Sequence, residues 1–193
     1  MANKEQPAAK PIIVLSGPPG AGKSTVAGEL VGLSTGPMAC IEGDKFWSFF
    51  AKDWKNMAEN RNFITLMTSA TAASLSYARA GYETVLDFSV PPWFLPTVYK
   101  IVNGRGLSLH YVVLFPSRQI CAQRAATRAE GALGDYTHYD DFYDTFQTAG
   151  AYLISDDLCS AAETAARIRE GLDKGSFLVT EQNLPKPKNS VSG

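Results

Sequence analysis

The sequence predicts an α/β domain of three layers, with helices covering both faces of a five-stranded parallel sheet. Three observations carry that reading. Short apolar runs alternate with longer segments of helical periodicity, the order that builds crossover units on one sheet. The runs are apolar on both faces, as strands covered from both sides require. The first run leads through a glycine-rich turn straight into a helical pattern.

The elements follow from their own residues. The expected strands are Ile12–Ser16, Ala39–Glu42, Thr84–Phe88, Leu109–Phe115 and Tyr152–Ser155. The first helix opens at the glycine-rich turn, places Val26, Leu30, Val31 and Leu33 on apolar positions, and stops before Gly36-Pro37. The second is expected from near Asn60 to Ala80, where Gly81 can take the left-handed conformation. A third follows Pro91-Pro92 over about Trp93 to Val102. Ser117 can cap a fourth through about Glu130, ended by Gly131. Ser160 and Glu163 have the spacing of a capping box for a last helix ending near Gly175. One domain is expected over residues 11–179, with a loose arm at 1–10 and a frayed tail at 180–193.

At 193 residues and 45% apolar, the chain can bury a full core. A formal net charge of -1 and no basic run argue against nucleic acid or a charged membrane surface as a general partner. Cys40, Cys121 and Cys159 are widely spaced and read as buried small hydrophobes in a reducing cytosol. The first residues lack the apolar core of a signal peptide, and no apolar run nears the roughly 20 residues of a membrane span. The expected location is the cytoplasm.

Gly17 to Ser24 matches G-x-x-x-x-G-K-[ST] at every position and sits between strand and helix, where such a match has meaning. Gly20 and Gly22 let the backbone wrap phosphate oxygens, while Pro18 and Pro19 stiffen the turn without donating. The expected donors are the N–H groups of Gly20, Ala21, Gly22, Lys23, Ser24 and Thr25, backed by the helix dipole. Lys23 supplies a cation for the β- and γ-phosphates, and Ser24 a magnesium ligand. Asp87 closes an apolar strand with an acid and is the second expected ligand for magnesium.

Asp44 lies just past the second strand, after a turn that Gly43 permits, and is expected to take the proton of an acceptor hydroxyl. Glu42 reads as pointing along the strand into the wall. Arg124 and Arg128, four apart on one helical face, can clamp a transferring phosphate. Glycines, aromatics and acids over 131–142 suit a mobile lid, placed at about 117–148. His138 reads as partly packed rather than as a substrate contact.

Together the loop at Gly17–Thr25, the Glu42-Gly43-Asp44 turn, Asp87 and the Arg124…Arg128 pair resemble P-loop kinases of the nucleoside-monophosphate-kinase fold. The chain looks closest to small-molecule kinases such as gluconate kinase, shikimate kinase and chloramphenicol phosphotransferase. The resemblance implies a parallel sheet in the order 2-3-1-4-5, ATP with Mg2+, and an acceptor-side acid and lid arginines matched by Asp44, Arg124 and Arg128. It places adenine contacts on the lid helix and the loop after strand five, here Ser155-Asp156-Asp157. Gluconate kinases carry a histidine soon after the strand-two acid. This chain has Lys45-Phe46-Trp47 there, so gluconate is not carried over.

The expected activity is ATP-dependent phosphorylation of a hydroxyl on a small molecule. Phe46, Trp47, Phe49, Phe50 and Trp54, with Pro91, Pro92, Trp93 and Phe94, should lie near the cleft mouth. Most of these rings read as packing a helix against the sheet, but an aromatic wall favours an acceptor with an apolar or planar part. A kinase acting on nucleic-acid ends or nucleotides, and a non-catalytic ATP-binding switch, are the alternatives. No Asn-Lys-x-Asp or Leu-Ser-Gly-Gly occurs, which argues against GTPase switches and transport ATPases. The length leaves no room for the extra helical domain of an oligomeric ATPase. Nothing in the sequence sets the oligomeric state.

Overall fold

The computed structural model describes residues 7–52, 54–56, 59–127, 134–155 and 157–185. At its centre lies β1 (Ile12–Ser16), buried at every position. It pairs in parallel with β3 (Glu83–Asp87) on one side and β4 (Leu109–Leu114) on the other. β2 (Met38–Glu42) adds to β3, and β5 (Leu153–Ile154) adds to β4. The order is β2-β3-β1-β4-β5, as the resemblance implies.

The period-two alternation of β1 sends side chains to opposite cores. Ile12 and Val14 join the cluster under α2 (Glu59–Arg79) and α3 (Leu95–Asn103), with Met67, Leu95 and Val98. Ile13 and Leu15 join the cluster under α1 (Lys23–Leu33), α4 (Arg118–Ala126) and α6 (Ala161–Asp173), with Leu30, Cys121 and Ile168. These are the two helical layers expected. In register, Leu15 and Glu42 both face Asp87. The C-terminal ends of three strands therefore reach one level, and Asp87 stands in the middle of them.

The local signals act as their chemistry requires. Gly81 ends α2 at φ +91°. The Ser160 hydroxyl accepts from the Glu163 N–H while the Glu163 carboxylate accepts from the Ser160 N–H, a pairing worth about 1 kcal/mol.

Other expectations are corrected. β2 is an edge strand with partly open faces, so Cys40 is exposed; Cys159, just before α6, is half-buried, and Cys121 alone of the three is fully buried. Pro91 and Pro92 first form a tight turn over Pro92–Phe94, which delays α3 to Leu95. α4 is described to Ala126, and Glu130 and Gly131 lie outside the described residues. A further short helix, α5 (Asp140–Thr145), follows Thr137–Tyr139. Past Val179, a turn at Glu181–Asn183 is pinned by the Tyr152 hydroxyl, which donates to the Asn183 carbonyl at 3.3 Å.

Candidate functional site

The glycine-rich loop joins β1 to α1 at the strand ends. Its shape is held by contacts that only glycine allows. A Cβ on Gly20, at φ +79°, would lie 2.0 Å from the Cys121 carbonyl oxygen, so the loop rests directly on the backbone of α4. Gly22 begins α1 in the left-handed region (φ 93°, ψ 15°) and offers no side-chain cap. The first turn of α1 lies at the positive end of the helix dipole, where a bound anion is favoured. Within the loop the Ala21 N–H donates to the Pro18 carbonyl at 3.2 Å, and the Ala21 side chain is buried.

Lys23 is only 8% exposed. Its ammonium donates to the carbonyls of Gly17 and Pro18, both at 3.1 Å, and so bends over the loop. Asp87 is 6% exposed at the end of β3. Burial pushes its carboxyl above the usual carboxylate range; Lys23 and the Ser24 hydroxyl beside it pull the other way, and Asp44 and Glu42 add to the rise. Burial wins. Among the described residues no three acids, histidines or cysteines gather as a metal cage. A magnesium ion needs none, since it binds through one or two protein oxygens plus phosphates and water. Ser24 and Asp87 fit that use.

Asp44 stands exposed in the tight turn Gly43–Phe49 after β2. Gly43 is buried because a Cβ there would meet the Phe88 ring at 2.2 Å. That close approach sets the turn against the residue following Asp87 and brings the two acids within electrostatic reach. Glu42 does not enter the wall: it is exposed on the edge strand and pairs with Lys45 at 2.6 Å. Arg124, near the end of α4, donates to the Ala21 carbonyl at 3.5 Å. Arg128 lies outside the described residues.

Gly20, Gly22, Lys23, Ser24, Thr25, Asp44 and Arg124 line one open cavity of about 1270 Å3, with Asp87 behind Lys23 and Ser24. Its far wall is aromatic: Trp47, Phe63, Phe88, Trp93 and Phe142. The rings of Phe88, Phe63 and Phe142 follow one another at 5.8 and 5.9 Å. Trp47 and Trp93 face the cavity, whereas Phe94 belongs to the core. His138 also lines it, with its side chain 81% exposed and 3.6 Å from Asp135. The expectation of a partly packed histidine is corrected, because the short turn carrying it rides on the surface.

Two features escaped the sequence reading. A smaller cavity of about 250 Å3 adjoins the loop, lined by Gly22, Thr25, Arg124, Leu114, Ile154, Cys159, Ser160 and Thr164. The cap of α6 walls it; Asp157 accepts the Ser117 N–H at 2.6 Å, and Asp156 lies outside the described residues. The capping box marked that helix start but not what it faces. Tyr136 is the second: its hydroxyl donates to the Pro19 carbonyl at 2.7 Å, tying the segment before α5 to the phosphate loop. A tyrosine in a polar stretch gave no signal of that bond.

A family model described as an AAA domain matches residues 12–147, a span that takes in the loop, Asp44, Asp87 and Arg124. No curated protein sequence matches the chain. Several solved structures share its fold. The APS kinase of Mycobacterium tuberculosis, in complex with AMPPNP and APS, is similar at a TM-score of 0.63 and 14% identity, over 86% of this chain and 99% of that one. A tunicamycin resistance protein of Deinococcus radiodurans follows at 0.61 and 19%, over 89% and 99%. Shikimate kinase of Acinetobacter baumannii, in complex with shikimate, stands at 0.56 and 18%, over 86% and 94%. At such identities the likeness is one of fold.

Proposed function

This chain belongs to the AAA domain family, and from that premise we propose that it is an ATP-dependent kinase that phosphorylates a hydroxyl on a small molecule. One observation carries the proposal. A phosphate loop, an exposed acid and an arginine, drawn from three separate stretches of sequence, line a single cavity, and the buried acid that ends β3 lies within electrostatic reach of Lys23, Ser24 and Asp44.

The loop and the first N–H groups of α1 would hold the β- and γ-phosphates, with Lys23 swinging from the Gly17 and Pro18 carbonyls onto them. Magnesium, when bound through Ser24 and Asp87, supplies charge neutralisation at the phosphate oxygens. The smaller cavity beside Arg124 suits the adenine ring, with apolar walls from Leu114 and Ile154 and polar atoms from Ser160 and Thr164.

Asp44 faces the acceptor. Its carboxylate takes the hydroxyl proton as the acceptor oxygen attacks the γ-phosphorus. The bond from that phosphorus to the β,γ-bridging oxygen breaks, ADP leaves, and Asp44 returns the proton to solvent. Arg124, on the loop side, would meet the charge developing on the transferred group. Residues from His138 through α5 form one side of the cavity and would close over it.

The first test is calorimetric titration with ATP and magnesium. Saturable binding that disappears in Lys23→Ala is expected. Equal binding by the variant would remove the cradle from the proposal.

A further inference from the structure

We propose, building on the phosphotransfer reading, that the acceptor is a cationic amphiphile: an alcohol that also carries a protonated amine and a flat or apolar ring. The cavity has two ends of opposite character. Its cations, Lys23 and Arg124, both sit on carbonyls of the phosphate loop. The rest of the lining is rings, the imidazole of His138, neutral polar groups such as Ser89, and two carboxylates, Asp44 and Asp141.

The pairing of the neighbouring acids makes those two stand out. Arg118 engages both Asp140 and Asp144, Asp135 lies beside His138, and Glu42 holds Lys45. Asp44 and Asp141 make no ion pair with any described lysine or arginine. Lys45, the basic residue next to Asp44 in sequence, is not among the lining residues.

Charge and surface then select the ligand. A carboxylated or phosphorylated acceptor, an oligonucleotide end included, would bring negative charge against two acids with no described lysine or arginine at that end to meet it. A bare polyol would leave the rings in contact with groups that prefer water. A protonated amine beside a flat ring satisfies both walls: the ammonium meets the carboxylates and the ring faces, and the ring covers Trp93, which is 49% exposed in their absence. Asp44 holds the hydroxyl end, so the amine falls to Asp141.

The test uses three matched alcohols, para-hydroxymethyl benzylamine, benzamide and benzoate, titrated onto the full chain while the fluorescence of its three tryptophans, Trp47, Trp54 and Trp93, is followed. The amine should bind about tenfold more tightly than the amide, and the benzoate most weakly. Asp141→Asn should erase most of that preference, and Asp141→Lys should invert amine and benzoate while leaving the amide unchanged. Tighter benzoate, no order among the three, or an order untouched by both substitutions would overturn the inference. A parallel titration with ATP and magnesium separates the two claims. Nucleotide binding with a benzoate preference sinks the cationic acceptor alone; no nucleotide binding sinks the phosphotransfer reading beneath it.

Discussion

The two ends of the cavity are built by different means. The phosphate end is made of backbone: glycines at positive φ, an uncapped helix start and carbonyls that park a lysine. Its residues sit within one stretch, Gly17–Thr25, plus Asp87 at the end of β3 and Arg124 from α4. The acceptor end is made of side chains from β2's turn, α2, the loop after β3, and α5. Backbone chemistry tolerates few sequences, so it leaves a motif; side-chain walls can be built many ways, so they leave only composition. The first end should therefore fail sharply when altered, and the second should retune.

Lys23→Ala is the sharpest break. Turnover should fall about ten-thousandfold, since the lysine meets charge that builds on the phosphates; a loss under tenfold, measured as ADP release, would make the phosphate end no stricter than the acceptor end. Asp44→Asn should lower turnover by about a thousandfold and leave nucleotide affinity near its original value. If calorimetry finds both reduced together, Asp44 belongs to nucleotide binding instead. Arg124→Ala should cost about a hundredfold in kcat and less in KM; an effect on KM alone would make it a binding group. Tyr136→Phe removes the hydroxyl bonded to the Pro19 carbonyl and should cost about 1 kcal/mol in denaturant unfolding. An unchanged midpoint would mean that the loop does not depend on that tie.

Asp87 gives the mildest and most telling contrast. Burial raises its folded-state pKa above the unfolded value, so the folded chain takes up a proton at pH values where the unfolded chain does not. Its ionised form therefore destabilises the ligand-free fold above that raised pKa, and the penalty fades as the pH falls through it. Asp87→Asn should raise the melting temperature at neutral pH by a few degrees and weaken magnesium-dependent activity, a trade of stability against function. A lower melting temperature would show that the charge is compensated in the free protein.

The fold was largely legible because its signals are local. Apolar runs placed the strands within a residue or two, Gly81 ended α2, and the Ser160–Glu163 box started α6. The sheet order came from resemblance, since no short-range pattern encodes which strands pair. What sequence missed is long-range. The exposure of Cys40 follows from β2 lying at the sheet edge. The bond from Tyr136 to Pro19 spans 117 residues, and no spacing rule reaches that far. The smaller cavity exists only because α6 docks beside the loop. The split between acidic, aromatic walls and cationic loop likewise appears only once Asp141 and Phe142 are seen opposite the strand ends.

Phosphorus NMR of the full chain with ATP, magnesium and a pool of amine-bearing aromatic alcohols is the most direct measurement. A new phosphomonoester resonance should grow in step with ADP, and Asp44→Asn should suppress both. ADP growing in step with inorganic phosphate, with no ester, would show hydrolysis rather than transfer and contradict a kinase.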